Sequence, residues 1–127
     1  MFTELNHSFN DAETGKYQKS DDFKNAFSKL EPWIEREKPA ANYNSAVACF
    51  NEYMNWGLVS LYYTDFAPDE EEAKLISDME GNMKKYRGFK KFPEFNQFLV
   101  ELYKGKGEKP LADFYPQIIK WFADNKG

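Results

Sequence analysis

The sequence predicts an all-α fold: a single helical domain over 1–127, with about five to seven helices in an irregular bundle around a central buried helix at about 45–63. Three observations predict it. The stretch Ala46 to Tyr63, AVACFNEYMNWGLVSLYY, is apolar or aromatic on almost every face at helical spacing, and a helix that is apolar all round is enclosed by protein. The segments on either side repeat their apolar residues at three and four, and no alternating β-pattern runs longer than a few residues. The 127-residue length suits one domain with a sizeable core, and aromatics at 18% mean that a few large side chains carry much of the burial.

At the start of the chain, Phe2, Leu5 and Phe9 predict a short amphipathic helix over 3–10, with His7 on the opposite side from part of that apolar stripe. Asp11 to Ser20 is polar, contains Gly15 and reads as a loop. Ser20 or Asp21 opens the next helix. Phe23, Phe27 and Leu30 give its apolar face, and Asp21 and Asp22 suit its positive end. Pro32 either kinks that helix or starts a short new one, because an interior proline removes a hydrogen bond and clashes with the preceding turn. Trp33 and Ile34 precede the charged run Glu35 to Lys38. Pro39 stops the segment, and Ala40 to Tyr43 link it to the central helix.

In the central helix, Tyr43, Val47, Phe50, Met54, Leu58 and Leu61 form the core stripe. Asn44, Asn51, Asn55 and Tyr62 make a polar row beside it, and Glu52, Trp56, Val59 and Tyr63 make the other flank. Asn44 or Ser45 supplies the cap. Gly57 costs up to about 1 kcal/mol against alanine inside a helix, so its presence predicts close approach of another helix. The length approaches that of a membrane span. Asn51, Glu52 and Asn55 sit in the middle, however, and no second apolar stretch flanks it, which excludes that reading.

Pro68 suits the first turn of the next helix, which carries Asp69, Glu70, Glu71 and Glu72 at its positive end. Ala73, Ile76, Met79 or Glu80, Met83 and Tyr86 continue the apolar period. Lys84, Lys85 and Arg87 suit the negative end, Gly88 is the stop, and Gly81 is a weak point midway. Pro93 opens a further helix with Phe95, Phe98, Leu99, Leu102 and Tyr103 on one face, ended by Gly105 and Gly107. Leu111, Phe114, Tyr115, Ile118, Ile119 and Phe122 define the last helix, with Trp121 beside them and Pro116 dividing it.

Charge narrows the function. A net charge of −4 gives no general attraction to nucleic acid or to an anionic membrane, and makes a basic protein the expected partner. Cys49 is the single cysteine, which fits a reducing compartment; its residue type and position suit a small buried hydrophobe. The N-terminus lacks the basic region and long apolar run of a secretory signal, so a cytoplasmic, bacterial protein is expected. No GxSxG, HExxH, P-loop or Rossmann glycine pattern is present, so no enzyme activity, metal or cofactor is expected. The carboxylates near Asp69 also lack the spacing of a calcium-binding loop.

Two sets of residues remain as candidates. Asp65, Asp69, Glu70, Glu71, Glu72, Asp78 and Glu80 could form an acidic face that meets a basic partner such as a toxin domain, since opposite potentials speed encounter. The plain alternative is a helix start on a solvated surface. Asn51, Met54, Asn55, Trp56 and Tyr62 could line a small-molecule pocket in a helical sensor domain, or the amides could simply satisfy their neighbours. The basic run Lys84, Lys85, Arg87, Lys90 and Lys91, interleaved with Tyr86, Phe89 and Phe92, has the composition of a nucleic-acid-binding strip, but it is short in an acidic chain and reads rather as inward aromatics and outward lysines. In broad character (small, single-domain, acidic, free of motifs) the chain resembles the immunity proteins of bacterial toxin–immunity systems. That likeness is one of type and carries over no residue. It implies an inhibitor that neutralises a basic toxin domain through the acidic face.

Overall fold

Ser45 begins the central element as a short polar side chain should. Its hydroxyl accepts from the Ala48 amide at 3.1 Å, satisfying an orphan donor of the first turn. The computed structural model describes residues 12–126, so the predicted helix over 3–10 and His7 lie outside the described residues. Within them the chain is all-α: α1 over 12–17, α2 (Asp21–Ala26), α3 (Ala46–Phe66), α4 (Asp69–Gly81), α5 (Phe92–Gly105) and α6 (Tyr115–Asp124). Two 3-10 turns, Pro39–Asn42 and Leu111–Phe114, lead into α3 and α6.

α3 is the expected central helix, one turn longer than the sequence suggested. Phe50, Tyr53 and Met54 are fully buried, with Leu58 and Leu61 beside them in the core. Gly57 is where α5 crosses. A Cβ there would stand 2.6 Å from Leu99 Cδ2 and 3.2 Å from Phe95 Cε2, so the glycine permits the close approach that its position implied. Aromatic rings fill the space between α2, α3, α5 and α6. Phe122 packs within 4.9 Å of Trp33 and 4.8 Å of Phe95, centroid to centroid, at tilted angles that suit ring quadrupoles.

Three predicted elements differ. The segment read as a loop over 11–20 is helical at 12–17. Its polar composition hides two anchors: the buried Thr14 hydroxyl donates to Asn51 Oδ1 at 2.6 Å, and Tyr17 stacks on Tyr115. α2 ends at Ala26, before Leu30. The chain folds back so that Trp33 Nε1 donates to the Ala26 carbonyl at 2.9 Å, closing off that helix end. Pro32 lies in a turn in which the Trp33 and Ile34 amides donate to the Leu30 carbonyl at 2.9 and 3.0 Å, and neither a kinked nor a new α-helix follows it. Ile34 makes an isolated antiparallel bridge to Phe89, with Glu35 N–H donating to Gly88 O and Lys90 N–H to Trp33 O.

α4 does not break at Gly81. It passes directly into a π-helical turn, Asn82–Arg87, and stops at Gly88, whose φ of 88° is the left-handed conformation that favours glycine. The wider turn holds an extra residue. Arg87 therefore comes round over Met83, while Tyr86, expected inside, is 73% exposed. Pro93 and Pro116 both lie in the first turns of their helices, where a missing N–H costs nothing.

Candidate functional site

The last turn of α3 and the first of α4 meet at Ala67 and Pro68, and the sequence there leaves two aromatics with no core to enter. Tyr62 and Phe66 are four residues apart on one face of α3, with ring centroids 4.9 Å apart. They are 43% and 70% exposed. Single exposed apolar residues are ordinary, but an exposed aromatic pair edged by charge has the make-up of an interface anchor.

Exposed carboxylates follow and flank this pair in the chain. Asp65, Asp69, Glu70 and Glu71 are all exposed beside Phe66 in the chain. The Glu71 and Glu72 amides donate to the Pro68 carbonyl at 2.8 and 3.0 Å, which fixes the start of α4. α5 holds one side of the group. The Tyr103 hydroxyl donates to Asp65, and Lys104 pairs with the half-buried Glu72 at 3.5 Å. The hydrogen bond to Asp65 and partial burial push the Tyr103 phenol up to about 12.

The seven carboxylates singled out from the sequence thus separate. Asp65, Asp69, Glu70 and Glu71 are exposed within five residues of Phe66 in the chain, and Asp78 is exposed farther along α4. Glu72 leans toward α5. Glu80 is half-buried and accepts from Asn96 Nδ2 at 2.9 Å, bracing α4 on α5. The five residues of the alternative pocket also separate. Met54 and Asn55 are buried, Asn51 is engaged by Thr14, Trp56 is half-buried, and Tyr62 belongs to the exposed pair.

On the other flank of α3, Arg87 Nη2 donates to the buried Glu52 carboxylate at 2.9 Å and to the Tyr43 hydroxyl at 3.2 Å. Its guanidinium lies 5.5 Å from the Trp56 ring centroid and 5.3 Å from that of Phe89. The hydrogen bond to Glu52, with burial, raises the Tyr43 phenol above its ordinary range. This partly buried cluster ties the π turn to α3.

Of the basic run, Phe89 and Phe92 are buried and Lys84, Lys85 and Lys90 exposed, as expected; Tyr86, which is exposed, and Arg87 and Lys91, which are half-buried, are the exceptions. Cys49 is buried, which raises its thiol well above the usual range and suits a packing role. Among the described residues no group of three or more His, Cys, Asp and Glu could hold a metal ion, and no helix is long and apolar enough to cross a membrane.

No protein-family model, curated protein or solved structure matches this chain. The exposed Phe66 was missed in the sequence reading, although a signal for it exists: an aromatic four residues beyond Tyr62, set between Asp65 and Pro68.

Proposed function

We propose that the chain is a protein-interaction module, an immunity or inhibitor protein that neutralises a basic toxin domain in the bacterial cytoplasm. The observation that carries this reading is the α3–α4 junction, where the exposed rings of Tyr62 and Phe66 share a short stretch of chain with the exposed carboxylates Asp65, Asp69, Glu70 and Glu71. An aromatic anchor with a charged rim suits a partner whose own surface is cationic. The rim steers the encounter, and the anchor, once desolvated, slows dissociation.

The test is complex formation with the product of the reading frame immediately upstream. A tight complex whose association rate falls with added salt is expected. Reversing Asp69, Glu70 and Glu71 to lysine should slow association at least about tenfold, given the rate range that electrostatic steering spans. Phe66→Ala should speed dissociation. An unchanged affinity in both variants removes this face as the binding site.

A further inference from the structure

On the side of the molecule formed by the 29–32 turn, the start of α5 and the end of α6 lies an open hollow of about 820 Å³. Lys29, Lys90, Lys91 and Lys126 line it, with Glu31 and Glu94. We infer that this hollow binds an anion carrying two or more adjoining phosphates.

Three of these lysines are held by neutral acceptors. Lys90 Nζ donates to the Glu31 carbonyl at 2.7 Å, Lys91 Nζ to the Asn125 carbonyl, and Lys126 Nζ to the Asn25 side chain and carbonyl. These acceptors are neutral. They fix each ammonium in place without cancelling its charge and leave further N–H donors on each. Lys91 is also seated over the Trp33 ring, 5.2 Å from its centroid. A surface lysine is ordinarily mobile and loses side-chain entropy when it binds; here part of that ordering is already done.

Two further features add to the field. The hollow sits at the start of the 14-residue α5, whose positive end lies beside Lys91. Of its two carboxylates, Glu31 is paired with Arg36 at 2.5 Å, which offsets its charge. Glu94 is the remaining opposing charge. Several fixed ammoniums around one hollow match closely spaced phosphates better than a single carboxylate. Lys90 also lines two smaller hollows of about 320 and 180 Å³; Glu35 and its ion-pair partner Lys38 line both, Glu37 and Arg36 the larger, and Lys84 and Lys85 the smaller, so a longer phosphate chain would run past Glu35 toward Lys84 and Lys85.

The probes are inorganic tripolyphosphate, a single-stranded oligothymidylate and an oligoglutamate of matched charge, titrated calorimetrically at low and moderate salt. The inference expects saturable one-to-one binding of tripolyphosphate. Lys90→Gln, Lys91→Gln and Lys126→Gln should each weaken it about tenfold, the scale of one charge-assisted hydrogen bond. Glu94→Gln should tighten it. Circular dichroism melting identifies any variant that has lost its fold, and the other two lysine variants then decide. Tighter binding of the oligothymidylate, lost in Lys84→Gln/Lys85→Gln, identifies a nucleic-acid backbone as the phosphate source; insensitivity to that pair identifies a small polyphosphate. Equal affinity for oligoglutamate, no binding at low salt, or retained affinity in all three folded lysine variants would overturn the inference.

Discussion

Arg87 on the π turn donates to Glu52 of α3 at 2.9 Å, with the two side chains 21% and 5% exposed. This bond closes the end of α4 onto the central helix. Removing one partner of a shielded ion pair leaves the other charge uncompensated, at a cost of about 3 kcal/mol. Arg87→Ala should lower stability by about that amount in urea denaturation, and Glu52→Gln by somewhat less. The paired change Glu52→Leu/Arg87→Met should cost less than the sum of the single changes, because no unpaired charge remains.

Gly57 and Leu99 meet where α3 and α5 cross closely. Gly57→Ala gains about 1 kcal/mol of helix propensity but forces Leu99 and Phe95, both fully buried, to move. Overpacking of this kind costs about 1–3 kcal/mol. A net destabilisation of about 1 kcal/mol is expected in the same denaturation assay. A stabilised variant would show that the crossing is looser than described.

Tyr103 gives a pH signature. Its phenol stays protonated up to about 12 in the folded chain, against an ordinary 10.0, chiefly through its bond to Asp65. A raised folded value means that the stabilisation is fully present below pH 10 and is lost as the pH rises through about 12. Titration of this one tyrosine by NMR should show the shift, and Asp65→Asn should largely abolish it by removing the neighbouring negative charge.

Cys49 should be inert while the protein is folded. Its side chain is fully buried, and burial disfavours the thiolate that reacts. Labelling by a maleimide should proceed only as fast as the core opens. A thiol that labels at once in native buffer would contradict the packing of α3.

Much of α3 was legible because a helix apolar on every side has only one place to go. The Ser45 cap, Gly57 and Gly88 were legible for local reasons: an orphan amide, a close crossing, a left-handed stop. What could not be read locally depends on partners distant in sequence. α1 folds because Thr14 reaches Asn51 and Tyr17 reaches Tyr115. α2 ends early because Trp33 returns to Ala26, held there by a bridge to residue 89. The acidic run was visible as charge, but only the position of α5 decides that Glu80 turns inward while Glu70 and Glu71 stay exposed. The lysine hollow joins residues 29, 90, 91 and 126, and no window of sequence contains them all.

The central claim is recognition through the α3–α4 junction. It is tested most directly by the salt dependence of association with the upstream gene product, measured for the natural chain and for Asp69→Lys/Glu70→Lys/Glu71→Lys. The account predicts a fast, salt-sensitive association that becomes slow and nearly insensitive to salt in the reversed chain, with the melting temperature little changed. Equal rates and equal salt slopes for two folded proteins would contradict it.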